Sequence, residues 1–157
     1  MKRLLYLICV VVFAAGMSSC NKEDDPAPSP VVGKWSIDRA RYSGFTGDFV
    51  SLNGDEDLSN PTVTGYRDDI DIKNDNTYSG TERANGSVFD YKGTWTLTSN
   101  NLVLKEDAGS EFKYTYDNST TPNQLLGEIA ARSGRFMNAK KDTVTVKYSV
   151  QLIYAKK

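Results

Sequence analysis

From residue 31 onward the chain alternates apolar and polar positions with a period of two, broken at intervals by turn-forming residues. Gly33 to Arg41 sets Trp35 and Ile37 on one face against Lys34, Ser36 and Asp38 on the other. Tyr66 to Ile72 sets Tyr66, Ile70 and Ile72 against Arg67, Asp69 and Asp71. The polar turn Lys73 to Asn76 leads into a return strand, Thr77 to Arg83, and Asn85-Gly86 supplies the positive φ angles of a tight hairpin. Val88 to Thr98 brings Phe89, Tyr91, Trp95 and Leu97 to one face; Ser99 to Asn101 then turns the chain into Leu102 to Lys105. Glu111 to Tyr116 aligns Phe112, Tyr114 and Tyr116. The last segment is the most regular, with Val144, Val146, Tyr148, Val150, Leu152 and Tyr154 alternating with polar residues. Its twelve residues would extend about 40 Å, a length suited to a curved, bulged barrel strand.

Helical spacing occurs once. Thr121-Pro122-Asn123-Gln124 offers a cap, a first-turn proline and a glutamine three residues after the cap. Leu125, Leu126, Ile129 and Ala130 form an apolar stripe and Gly134 a stop, which predicts a helix over about 122–133. Seven strands, one late helix and no βαβ rhythm predict an all-β fold: an antiparallel up-and-down meander closing into a barrel, with one short helix before the last strand.

Composition narrows the chemistry. The 157 residues suit one domain, and 19 Lys+Arg against 20 Asp+Glu leave no basic excess for nucleic acid. Lys140-Lys141 and Lys156-Lys157 are too scattered to make such a surface. There is no histidine, which removes the Ser-His-Asp and Cys-His arrangements and nearly every zinc site. Cys9 and Cys20 both fall within the first twenty residues, so no disulfide can staple the domain.

The N-terminus reads as an address. Lys2 and Arg3 precede the apolar run Leu4 to Ala15, whose helix would measure about 18 Å, short of the ~30 Å hydrocarbon core of a bilayer. With the small residues that follow, this is the pattern of a secretory signal peptide over residues 1–19. Met17-Ser18-Ser19-Cys20 resembles a bacterial lipobox, which implies lipidation of Cys20. Cleavage there would leave 17 basic and 20 acidic residues and no free thiol in the working domain. Residues 20–30 form an acidic, proline-rich tether, with Pro26, Pro28 and Pro30 favouring extended chain. Glu23-Asp24-Asp25 resembles the surface-export signal of Bacteroidota lipoproteins, implying an outer-membrane, lipid-anchored, surface-exposed protein, with a periplasm-facing anchor as the alternative.

Gly33-Lys34-Trp35, opening the first strand, resembles the Gly-x-Trp start of lipocalins, and the pattern recurs as Gly93-Thr94-Trp95. Together with Ile70 to Tyr78 and Asn101 to Leu104, the layout is similar to the lipocalin-like domain of Bacteroidota surface lipoproteins over roughly residues 31–157. The resemblance implies a small barrel in which Gly33 and Trp35 plug the closed end. It also implies an arginine from a late strand across that tryptophan, for which the sequence identifies no counterpart.

Residues 43–64 form a long connection carrying Phe45, Phe49, Leu52 and Leu58. Phe45, Phe49 and Leu52 are the candidate lid residues over the barrel mouth. Asp55-Glu56-Asp57 is expected to be a solvated acidic loop, since a calcium loop would need glycine at Asn60 and glutamate at Tyr66. Asp68, Asp69 and Asp71 divide between two strand faces and make no joint site. Ser110 and Lys113, three apart on a strand, point to opposite faces and cannot form an acyl-enzyme pair. The tyrosines Tyr78, Tyr91, Tyr114, Tyr116, Tyr148 and Tyr154 remain as recognition groups, the first five being the candidate ligand-binding residues; they orient a mostly apolar ligand if they face a cavity and serve as core filler if they do not. The expectation is a tethered protein that binds a small, largely apolar ligand, with no catalytic residues, cofactor or metal. The alternative is an accessory or structural module with a filled core, meeting a surface protein or glycan through its outer face or an edge strand.

Overall fold

The computed structural model describes residues 27–157. The signal segment 1–19, Cys20 and the first part of the tether lie outside the described residues. Ten strands follow in chain order: β1 (Gly33–Ser43), β2 (Gly54–Asp57), β3 (Tyr66–Ile72), β4 (Thr77–Ala84), β5 (Ser87–Thr98), β6 (Asn101–Glu106), β7 (Glu111–Asp117), β8 (Gln124–Gly127), β9 (Ala130–Met137) and β10 (Thr143–Lys156). All pairings are antiparallel. The order β1-β3-β4-β5-β6-β7-β8-β10 closes where β10 pairs with β1, so eight strands make an antiparallel up-and-down barrel of lipocalin-like form; the all-β meander and its closure are as expected, whereas the strands number ten and not seven. Closure leaves this ring without a free edge. The two remaining strands extend it on one side, β2 along the second half of β1 and β9 along the first half of β10.

Turns and bends follow local chemistry. Asn85 and Gly86 take φ angles of 52° and 80°, the left-handed pair of a two-residue hairpin. The register of β1 against β10 slips between Ile37 and Arg39, a bulge that keeps Ala40 and Tyr42 in the inward phase. The acidic run at 55–57 is not a loop, as the sequence suggested, but strand β2: Asp55 takes a bidentate contact from Arg41 at 2.8 and 3.2 Å, and Glu56 accepts from the Tyr42 hydroxyl at 2.9 Å. Charged residues on this short strand discourage further pairing along its open side.

The helix expected over 122–133 does not form. Residues 124–127 are β8, the eighth barrel strand, and 130–137 are β9. Leu125 lies between Tyr116 of β7 and Tyr154 of β10 and is completely buried, whereas Ile129 of the supposed stripe is 68% exposed. A helix of that length is marginal on its own. Strand pairing on both sides satisfies the same backbone groups and closes the ring, so tertiary context overrides the local signal. The short helical pieces occur elsewhere, as a 3-10 turn at Gly47–Leu52 and a single helical turn, α1, at Pro61–Thr64.

One end of the barrel is solid. Trp35, Ile70, Ile72, Tyr78, Leu102, Leu104 and Leu125 are fully buried there. Trp35 meets Tyr116 edge to face at 6.2 Å and donates its indole N–H to the Val31 carbonyl at 2.8 Å; Trp95 donates to Lys73 O at 2.9 Å. Both large rings are thus buried with their one polar group satisfied. The cation across the Trp35 ring is Lys156 from the last strand, its Nζ 5.5 Å from the ring centroid and 2.7 Å from Pro30 O. Gly33, at φ 134°, lies directly beneath the Lys156 stem.

Candidate functional site

The opposite end of the barrel is hollow. Inward positions of β3, β4, β5, β7 and β10 surround a cavity of about 720 Å3, a volume in the range of small-molecule sites. Its walls are Tyr66, Phe89, Tyr91, Phe112, Tyr114 and Leu152, and the hairpin turns β4–β5 and β6–β7 stand at its rim. The chain enters the barrel at the solid end, where Val31 is buried, so the cavity faces away from the N-terminal segment.

At its floor sits Asp68, only 6% exposed. The strand pattern explains the position: Asp68 shares the inward phase with Tyr66, Ile70 and Ile72, while Asp69 and Asp71 turn outward, Asp69 to Ser36 and Arg67. Tyr91 of β5 donates its hydroxyl to Asp68 Oδ1 at 2.6 Å, and Tyr154 of β10 donates to Oδ2 at 2.6 Å. Tyr91 reaches β3 because its cross-strand partner on β4 is Gly80; the ring lies over the space a Cβ would fill. Burial raises the Asp68 carboxyl above the ordinary carboxylate range, against the two hydroxyl donors, which favour the charged form. The same burial, with the Asp68 charge, pushes the Tyr66, Tyr91, Tyr114 and Tyr154 phenols well up, so all four hold their protons at neutral pH.

Of the five tyrosines singled out in the sequence, Tyr91 and Tyr114 line the cavity. The other three do not. Tyr78 is buried below it with its hydroxyl lacking a partner among the described residues, its phenol raised to about 12 by burial and by Glu106 and Asp107. Tyr116 belongs to the solid core and accepts from Asn123 Nδ2 at 2.8 Å. Tyr148 stacks on Phe45 at 4.6 Å on the β9–β10 extension. Sequence reading missed Asp68 and left Tyr66 and Tyr154 out of the site. Each was legible by phase, since Asp68 falls between Tyr66 and Ile70 in the apolar alternation.

The connection 43–64 does not contribute to the cavity wall. Phe45 is buried against Tyr148 and Phe136, and Phe49 lies 5.5 Å from Phe136. Leu52 is exposed. Tyr148 pairs with Arg132, which lines the cavity, so this aromatic cluster stands one register step outside the wall and covers the inner face of the extension.

The fold and cavity define a small closed β-barrel with a ligand-sized chamber at one end. No protein-family model, curated protein or solved structure matches the chain.

Proposed function

We propose that the protein is a membrane-tethered lipoprotein of the cell envelope, similar to the lipocalin-like domains of Bacteroidota surface lipoproteins, whose barrel binds a small ligand of largely apolar character. The observation that carries this reading is the aromatic-walled cavity of about 720 Å3 at the end of the barrel away from the chain's entry. A filled interior would have favoured an accessory module acting through its outside; this interior holds a cavity at one end. Support for the tether comes from Lys2-Arg3, the apolar run Leu4 to Ala15 and Met17-Ser18-Ser19-Cys20. A lipid on Cys20 would hold the barrel at the outer membrane with its mouth directed outward.

Native mass spectrometry of the chain extracted from its own membranes tests both parts. The expected result is a diacylglyceryl mass on a chain beginning at Cys20, together with a noncovalent small-molecule adduct. A chain that retains residues 1–19, or that Cys20→Ala leaves membrane-bound, overturns the tether. Failure to capture any apolar or amphipathic compound overturns the carrier. Protease added to intact cells separates the surface-exposed orientation from the periplasmic one.

A further inference from the structure

The cavity is aromatic and apolar in its walls, yet its charges are unbalanced. Six carboxylates line it (Asp68, Glu82, Asp90, Glu106, Glu111 and Glu128), against the two cations Lys113 and Arg132. At the rim, such an excess attracts cations from a distance but does not define a site. The floor is different. Asp68 and Glu82 are direct cross-strand partners on β3 and β4, both turned inward, which places their Cβ atoms about 5 Å apart. Neither forms an ion pair among the described residues. A buried carboxylate without a positive partner is costly, and a second carboxylate beside it raises the cost. Two hydroxyls bind Asp68, but they donate without bringing charge; each oxygen keeps a free lone pair.

Around these carboxylates stand the rings of Tyr66, Tyr91 and Tyr114, with Tyr114 edge-on to Tyr154 at 5.6 Å. Aromatic faces beside a carboxylate stabilise an organic cation through the ring quadrupole while the carboxylate supplies the opposite charge. We infer that the cavity takes an organic ammonium: a primary or quaternary amine seated between Asp68 and Glu82 within the tyrosine rings, its apolar remainder against Phe89, Phe112 and Leu152. The inference rests on the carrier reading and narrows its ligand class. A bare inorganic cation fits less well, because the apolar walls would then stay uncovered. Burial raises the carboxyls of both Asp68 and Glu82 when the cavity is empty, and an arriving ammonium would shift both back toward the charged form.

The test is equilibrium dialysis of the full chain in lipid nanodiscs, with empty nanodiscs as the blank. Four probes share one apolar group: phenethylamine, benzyltrimethylammonium, phenethyl alcohol and 3-phenylpropanoate. Calcium and sodium chloride serve as competitors. The expected result is binding of at least one ammonium probe tenfold or more tighter than the alcohol, no retention of the carboxylate, and displacement by neither salt at matched ionic strength. Asp68→Asn and Glu82→Gln should each reduce the ammonium-to-alcohol ratio about tenfold while alcohol binding persists. Retention of the alcohol with no ammonium preference, or a ratio unchanged in both variants, overturns the ammonium inference and leaves the carrier reading standing. Retention of none of the four probes overturns both. Asp68→Asn is nearly isosteric and removes a buried charge, and Glu82→Gln provides a second variant at a less enclosed position.

Discussion

Replacing Gly80 by alanine asks whether the floor of the cavity depends on a missing side chain. Gly80 pairs with Tyr91, whose ring lies where the new Cβ would be, and whose hydroxyl reaches Asp68 on the next strand. Inserting a methyl group into filled space costs about 1–3 kcal/mol. If the ring swings away to admit it, the hydrogen bond to a charged group is lost as well, worth about 1.5–3 kcal/mol. Gly80→Ala should therefore destabilise by about 2.5–6 kcal/mol when both losses are counted. The same change in a Tyr91→Ala background meets no ring, and there alanine in a strand should gain about 0.5–1 kcal/mol over glycine. A double-mutant cycle by urea unfolding of residues 21–157, read by tryptophan fluorescence, should give a coupling of at least about 2 kcal/mol. Tyr91→Phe, which keeps the ring and removes the hydroxyl, should fall between the parent and Gly80→Ala. Equal costs for Gly80→Ala with and without the Tyr91 ring would refute the reasoning.

Other consequences follow from single residues. The raised Asp68 carboxyl means that the folded chain keeps a proton which the unfolded chain releases near 3.8. Its contribution is therefore most favourable below that value, declines by up to ~1.4 kcal/mol per pH unit as pH rises toward the folded-state pKa, and levels off above it. Asp68→Asn should flatten that decline in urea midpoints measured across pH, with Glu82→Gln removing a smaller part; identical profiles for Asp68→Asn and parent would contradict the assignment. Gly93→Ala directs a Cβ into the Lys105 carbonyl of the neighbouring strand, a backbone atom that cannot rotate away. It should cost at least about 3 kcal/mol, at the upper end for overpacking, by the same unfolding assay. Lys156→Met keeps the stem over Gly33 but removes the charge above Trp35 and the bond to Pro30, and should cost about 1 kcal/mol in thermal or urea unfolding. Phe136→Ala should loosen the β9–β10 extension, seen as faster amide exchange at 130–150, while barrel-core amides such as Leu102 keep their protection.

Period-two alternation with turn residues between is a local property, and it determined most of the strands, the hairpin at Asn85-Gly86, the inward faces and the barrel class. The same alternation already put Asp68 on the inside, in phase with Tyr66 and Ile70. Its meaning was hidden because a carboxylate on an apolar face is interpretable only once its neighbours are known, and Tyr91 and Tyr154 lie 23 and 86 residues away along the chain. Tertiary structure alone decided three further matters. It turned residues 124–127 into the closing strand, because pairing with β7 and β10 outweighs the short-range helix signals of Thr121 to Gln124. It sent Phe45 to the β9–β10 extension instead of the mouth, since an exposed aromatic is buried by whichever apolar face lies within reach. It also divided the inward tyrosines between core and cavity. Inwardness is written in each strand's own pattern, but whether the inside is full at a given height depends on the combined volume that eight strands deliver there. Around Trp35 the large side chains fill that space. Around Tyr66, Asp68 and Tyr114 they leave it open.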